Sequence, residues 1–347
     1  MKCLVVGGTG FLGGAIVDAL VRGGHAVTIL SRGKTARPTQ HAVETIRADR
    51  FGDLRAIAGQ AFDWVFDTCA FDPEAVDRLL RVIGATCQRY LLISSISVYG
   101  RFLRPGLDET EPVPNATAAD LSVAARLTGD ARGSAMSYGA SYGPLKRACE
   151  IKAAEQLGDR ATILRVGLLV GAGDYTDRLT WWVRRIDEAR GGRRRIPAPG
   201  PRNRRVQLID VRDVADFAVH CADARLAGIW NVTGEARPLS DILEPIIGAS
   251  NSDAELAWVS EASILEAGVE AWTDIPLMAP TGSDFRYFLE VSAAKAMRHG
   301  LDFRPYEETL RDLLEWDRLR RDERLKGGMT AQQEAELLAA DDRRGAL

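Results

Sequence analysis

Tyr142 and Lys146 stand four residues apart in the stretch "SYGASYGPLKRAC". Four residues is about one helical turn, so a phenol and an ammonium share one face if a helix starts here. Pro144 suits the first turn of such a helix. With seven tyrosines and six lysines in the chain, this spacing is expected only about 0.12 times by chance. Tyr138 has Tyr142, not a lysine, four places on, and its expected role is packing at the helix entry. A phenol ionises at about pH 10 and is a poor base at neutrality. A neighbouring ammonium and a cationic ring both favour the phenolate and lower that value. A third group comes from "YLLISSISVYG", an apolar strand that ends in Ser94, Ser95 and Ser97. Open α/β sheets place ligands at strand ends, where a hydroxyl can hold a substrate oxygen while Tyr142 passes its proton. The alternative for these serines is capping of the strand end.

The cationic ring has a source in "LVVGGTGFLGGAIVDAL", which reads as strand, glycine turn and helix. Three glycines at this spacing are common by chance; their position directly after the first strand and before an amphipathic helix gives them meaning. Glycines allow a tight turn and close approach of the backbone to a pyrophosphate, and the helix N-terminus supplies free N–H groups. Gly7, Gly10, Phe11, Leu12 and Gly13 are the expected cofactor contacts. The second strand ends "VTILSRGK", with Ser31 and Arg32 where an NAD-binding chain carries an acid. Arginine pairs with a 2′-phosphate that a carboxylate repels, and Lys34 adds charge nearby. NADP(H) is therefore favoured, with NAD(H) the alternative. Asp49, after the third strand, is a candidate for the adenine edge or else a turn residue.

Behind these groups lies a regular alternation. β-like runs at Cys3–Val6, Val27–Leu30, Val43–Arg47, Trp64–Thr68, Tyr90–Ser95 and Thr162–Val166 are separated by helical spacing such as Val76, Leu79, Leu80 and Ile83. This predicts βαβ units and an α/β, doubly wound parallel sheet. The expected organisation is a dinucleotide-binding domain over 1–170, with an excursion at 101–141 and a short helix near Leu121–Leu127. A substrate lobe follows over 171–321, interleaved with the last strands, with helices near 178–190, 211–224, 239–248, 260–267 and 306–321. A charged helical tail over 322–347 closes the chain.

The 347 residues carry a formal net charge of −3, so no general attraction to nucleic acid or membrane is expected. The apolar run after Met1 breaks into glycines too early for a signal peptide, and no stretch approaches the length of a membrane span. Five scattered cysteines and four histidines show no zinc spacing; reduced thiols in a cytoplasm are expected. Cys3 and Cys69, in apolar runs, read as small core residues. Nine arginines crowd residues 184–205. They read as an anion site, an RNA-contacting patch, or solvated and helix-terminal cations. Trp181 and Trp182 precede them, one a candidate pocket wall and the other core. Tyr175, Arg178 and Trp258 are further substrate-lobe candidates.

Taken together, "GGTGFLG", "SSISVYG", "YGPLK" and "VQLIDVRDVADF" resemble the extended short-chain dehydrogenases/reductases, the group containing NAD(P)-dependent epimerases and dehydratases. The resemblance spans about residues 1–235. It implies a Rossmann fold with a small C-terminal substrate lobe, Tyr142 as catalytic acid/base and Lys146 as its partner. Counting back from "VYG" it implies Ser95 as the catalytic hydroxyl, with Ser97 a second contact. It places "LRVGLLVG" beside the nicotinamide, with Val166 where many relatives have proline. It also implies a small-molecule substrate, and two helices of this fold commonly pair in homodimers. The departures are informative. "FDTCAFDP" replaces a His-x-Ala-type run, so Asp67 and Asp72 are either substrate-facing or strand-end turn residues. The stretch from Ser95 to Tyr142 is long. Arg205 falls one place off the arginine that holds the diphosphate in sugar-nucleotide enzymes. Including "YTDRLTWWVRR", the whole chain is similar to a bacterial subgroup of reductases and epimerases that also resembles chloroplast stem-loop RNA-associated proteins. Two functions are expected from this: hydride transfer at a carbinol or carbonyl carbon, with epimerisation or dehydration as its variants, or a nucleotide-binding scaffold that contacts RNA or protein.

Overall fold

Continuous apolar runs become strands buried on both faces. A computed structural model describes residues 1–34 and 43–345. The chain begins β1 (Lys2–Val6), α1 (Phe11–Arg22), β2 (Ala26–Ser31), β3 (Glu44–Arg47), β4 (Trp64–Asp67), α2 (Pro73–Ile83) and β5 (Arg89–Ser95). It continues through α3 (Ala118–Arg126), α4 (Tyr142–Leu157), β6 (Ala161–Val166), β7 (Leu169–Val170), α5 (Arg178–Asp187) and β8 (Arg194–Pro199). Next come β9 (Arg205–Gln207), β10 (Ile209–Asp210), α6 (Val211–Asp223), β11 (Gly228–Val232), β12 (Ala236–Pro238) and α7 (Ser240–Ser250). The last elements are β13 (Ala254–Val259), α8 (Glu261–Glu266), α9 (Ala294–Arg298), α10 (Tyr306–Arg318) and α11 (Ala331–Gly345).

Seven strands form one parallel sheet in the order β11-β6-β5-β4-β1-β2-β3. This is the doubly wound, Rossmann-type arrangement expected from the alternation. Side chains alternate across the sheet. Cys3 and Val5 join the core under α1 and α6, with Ile16, Leu20, Val214 and Phe217. Leu4 and Val6 join the opposite core under α2 and α4, with Val76, Leu79, Cys149 and Ala153. Strand order reverses between β1 and β4, so the connections on either side of that point leave a crevice at the carboxyl ends. The six expected strands are present. β11, "GIWNV", is a seventh that the sequence hides, because a five-residue run holding Asn231 is too short to show a period.

A second core gathers α5, α7 and α10 around Trp181, Trp182, Ile242, Leu243 and Leu313. Trp182 Nε1 donates to Pro276 O at 3.1 Å. Both tryptophans are core residues, so neither forms the pocket wall expected of one of them. Trp258 is half-buried against the same core. The tail helix starts on a reciprocal cap. Thr330 N donates to Gln333 Oε1 (2.9 Å) and Gln333 N to Thr330 Oγ1 (3.2 Å). Residues 346 and 347 of the expected tail lie outside the described residues.

The arginine-rich segment fastens this second core. Arg184 pairs with Asp317 (2.6 Å), Arg185 and Arg194 with Glu334 (2.6 and 3.3 Å), and Arg195 with Asp342 (2.9 Å). Arg190, Arg193, Arg202 and Arg204 reach Asp187, Glu255, Glu244 and Glu261. Arg205 donates to Ala236 O. The cations are spent on acids of the C-terminal third of the chain and on local partners, which weakens the RNA-patch alternative.

Candidate active site

The glycine turn is built on close contacts. Gly7 follows β1 at φ 84°, in the left-handed region that favours glycine. Its N–H donates to Leu30 O (2.9 Å), and Gly10 N–H donates to Gly7 O (3.0 Å). A Cβ on Gly13 would collide with the Gly7 carbonyl, 2.9 Å from its carbon, and sit 3.1 Å from Gly8 Cα. Helix α1 begins at this turn with no side-chain cap and no acid in its first turn. Its N–H groups and positive dipole end therefore remain available to an anion.

A cleft of about 330 Å³ runs along the carboxyl ends of the strands. Gly7, Gly10, Phe11, Leu12 and Gly13 line it at the turn, Ser31, Arg32, Lys34 and Asp49 toward β2 and β3, and Tyr142, Lys146 and Val166 toward β5 and β6. Each group arrives on its own element: β1, β2, β5 and β6 all terminate here, and parallel pairing sets Ser94 beside Arg165 and Ser95 beside Val166. Among the serines, Ser94 lines the cleft, and Ser95, which is buried, hydrogen-bonds the Tyr142 phenol. Ser95 Oγ donates to Ser97 Oγ (3.1 Å) and accepts from Ser97 N (3.1 Å).

Tyr142 opens α4, and Lys146 follows one turn later. Burial pushes the Tyr142 phenol up to about 12, while a hydrogen bond with Ser95 acts in the opposite direction. Lys146 is 1% exposed. Its ammonium donates to Ala70 O (2.8 Å) and to Ile93 O, and lies 5.1 Å from the Phe71 ring centre. Burial lowers its pKa. Tyr138 is buried, and its hydroxyl donates to Arg132 O (2.9 Å), as befits a packing residue. Tyr175 also lines the cleft and is 54% exposed. Arg178 stands over the Trp272 ring at 5.8 Å.

Asp67 and Asp72 serve the scaffold. Asp67 is fully buried, accepting from Arg50 and from Tyr90 Oη (2.7 Å); Asp72 caps α2 through Glu74 N (2.9 Å). Asp49 lines the cleft while accepting from Phe51 N (3.0 Å), a turn contact. Cys69 also lines the cleft, with Arg50 Nη1 3.6 Å from its sulfur. Two residues escape the sequence reading. Arg50 lines the cleft at 5% exposure, and its Nε and Nη2 have no hydrogen-bond partner among the described residues. In "RADRFGDLR" it looks like one more solvated arginine. Asp130, in the excursion, pairs with Arg32 (2.9 Å) and Lys34 (2.5 Å). No local signal links positions nearly a hundred residues apart.

The cleft suits a dinucleotide: a turn that a Cβ would fill, an uncapped helix N-terminus, and orphaned N–H groups on Arg50. Among the described residues, no three His, Cys, Asp or Glu side chains gather to hold a metal ion, and no helix is long and apolar enough to cross a membrane.

The family model described as "NAD dependent epimerase/dehydratase family" matches residues 3–233. The chain belongs to that family and is an enzyme of it. No curated protein matches it in sequence. Among solved structures it is similar to the UDP-N-acetylglucosamine 4-epimerase of Methanobrevibacter ruminantium in complex with UDP-N-acetylmuramic acid, at 18% identity and TM-score 0.65, covering 92% of this chain and 98% of that one. It is also similar to the UDP-glucose 4-epimerase of Thermus thermophilus in complex with NAD, at 18% identity and TM-score 0.60, covering 92% and 99%. The UDP-glucuronic acid 4-epimerase of Bacillus cereus in complex with NAD gives 15% identity and TM-score 0.62, covering 92% and 99%. At these identities the likeness is one of fold.

Proposed function

We propose that this enzyme carries out NAD(P)-dependent hydride transfer at a carbinol or carbonyl carbon of a small polar molecule, with Tyr142 as acid/base. One observation carries the reading: the phenol and Lys146 line the cleft that the glycine turn opens, together with Ser94, and the phenol is hydrogen-bonded to Ser95. A bound nicotinamide supplies or accepts the hydride. The glycine turn and α1 N-terminus would hold the pyrophosphate, and Arg50 would offer its two unpartnered nitrogens, Nε and Nη2, to the same ligand. Lys146 would hold the nicotinamide ribose and favour the phenolate. Ser95 orients the substrate oxygen and the phenol, and Tyr142 takes or gives the oxygen-bound proton. With the phenol at about 12, Tyr142 is protonated at neutral pH, and the positive charge of an oxidised nicotinamide would add to that of Lys146 in favouring the phenolate. Arg32 and Lys34 support NADP(H) over NAD(H), because they offer two cations where a 2′-phosphate would fall.

Epimerisation is the second reading, favoured by the family match and by relatives solved with NAD or UDP sugars. It shares the first half-reaction and differs only in that the hydride returns to the same molecule. Native mass spectrometry of the purified protein separates the two. An empty site with tight NADPH uptake supports a reductase; a retained dinucleotide supports internal redox. In either case Tyr142→Phe should keep cofactor binding and lose turnover by about 10²–10⁴-fold. Undiminished turnover in that variant overturns the proposal.

A further inference from the structure

The two cations that the proposed function assigns to a 2′-phosphate already hold an anion. Asp130 sits in the 3-10 turn Gly129–Gly133 of the excursion. One carboxylate oxygen accepts from both Arg32 Nη1 (2.9 Å) and Lys34 Nζ (2.5 Å). Arg32 Nη1 also reaches Gly129 O (3.3 Å), and a Cβ on Gly133 would lie 2.7 Å from Arg32 Nη2. The turn is thus pressed onto the guanidinium at three points. It is anchored on its far side as well. Arg132 lies over the Phe51 ring at 5.2 Å, and Tyr138 Oη holds Arg132 O. Phe51, Gly133 and Ala135 line the cleft, and the segment Ala135–Ser141 runs directly into Tyr142. The excursion therefore brings a carboxylate against two residues that line the β2–β3 end of the cleft and leads without a break to the proposed acid/base residue.

A carboxylate and a phosphate compete for the same donors. The phosphate monoester carries about −1.5 to −2 charges and three acceptor oxygens, against a single charge and two oxygens. A cofactor without the phosphate has nothing with which to displace the acid.

We infer that Asp130 is an internal counter-anion seated in the 2′-phosphate subsite, so that the phosphorylated cofactor must evict it and release the Gly129–Gly133 turn, whereas the unphosphorylated cofactor leaves the turn latched. Asp130 is on this account a specificity-determining residue that holds NADP(H) preference below what Arg32 and Lys34 alone would give. The inference rests on the cleft being a dinucleotide site.

Calorimetric titration of the full chain with NADPH, NADH and 2′,5′-ADP tests it, using wild type, Asp130→Ala, Asp130→Asn and Arg32→Ala. Because the ion pairs are largely exposed, the effect is moderate: Asp130→Ala should tighten NADPH and 2′,5′-ADP by about three- to tenfold and leave NADH within about twofold. Asp130→Asn should follow the same direction, and Arg32→Ala should weaken the phosphorylated ligands. Hydrogen exchange over residues 118–141 should rise with saturating NADPH and not with NADH. Equal effects on both cofactors overturn the inference. So does selective weakening of NADH in Asp130→Ala, which would make the carboxylate a ribose acceptor. An unchanged ratio of affinities overturns this inference alone, whereas failure of wild type to bind any dinucleotide overturns the cleft assignment with it.

Discussion

Glu150→Leu is expected to destabilise the protein by about 3–5 kcal/mol through one buried ion pair. Glu150 stands one turn beyond Lys146 on α4, so Tyr142, Lys146 and Glu150 share a face. Its carboxylate accepts from Arg165 Nε (2.9 Å) and Nη2 (2.8 Å), from Ser94 Oγ (2.6 Å) and from Arg147 (3.2 Å). Glu150 is fully buried and Arg165 is 1% exposed, with Nη1 of Arg165 already lacking a hydrogen-bond partner among the described residues. The guanidinium lies 5.0 Å from the Tyr99 ring centre. The pair thus clamps α4 to β5 and β6 at the strand ends that carry Ser94, Ser95 and Val166. Removing the carboxylate strands a buried cation, and Ser94 adds an orphaned hydroxyl worth about 1–3 kcal/mol. The Tyr99 contact is present with and without the carboxylate, so it does not offset this loss. Urea unfolding of wild type, Glu150→Leu, Arg165→Leu and the double variant measures it. The double variant should recover most of the loss, since no unpaired charge remains. A single variant within about 1 kcal/mol of wild type, or a double variant no better than either single, would refute the reasoning.

Three further outcomes follow from the same geometry. Gly13→Ala drives a methyl into the Gly7 carbonyl; the turn must open by several tenths of an ångström, so dinucleotide affinity should fall at least tenfold while chain stability drops by about 1–3 kcal/mol, as calorimetric titration and urea unfolding would show. Cys69 should be alkylated by iodoacetamide more slowly than a free thiol, because burial raises its pKa, and bound NADPH should slow it further; peptide mapping that finds Cys149 modified first would contradict the placement of the cleft. Stability should decline above about pH 10, since burial holds the Tyr138 and Tyr142 phenols at about 12. The unfolded chain releases those protons first, so the contribution is intact below about pH 10 and is lost as pH rises toward the folded values; Tyr142→Phe should flatten the decline in urea unfolding curves.

Residues whose partners are near in sequence, or whose geometry a motif dictates, were readable without coordinates. Apolar alternation gave β1 to β6, and Gly7, Gly13, Tyr142 and Lys146 declared themselves by spacing. The role of Val166, and the choice of Ser95 among the strand-end serines, came only through resemblance, and the sheet register sets the two side by side. What stayed hidden depends on long-range pairing. Arg32 looked free until Asp130 was placed against it. For Arg184 and Arg195 the sequence leaves an anion site, an RNA patch and solvated cations all open, and only the fold pairs them with Asp317 and Asp342. Arg50 could not be told from its charged neighbours, because burial of a guanidinium between β3 and β4 follows from tertiary packing alone.

The central claim is that the Tyr142 phenol stands beside the nicotinamide ring. Ultraviolet difference titration at 295 nm by stopped-flow pH jump, with Tyr142→Phe as the blank, measures it without knowledge of the substrate. A unit charge about 5 Å away at an effective dielectric of about 20 contributes about 3 kcal/mol, or about two pKa units. NADP⁺ should therefore bring this phenol from about 12 to about 10, and NADPH, whose ring is neutral, should move it far less. Identical titrations with NADP⁺, with NADPH and without cofactor, under conditions where both are bound, would contradict the account.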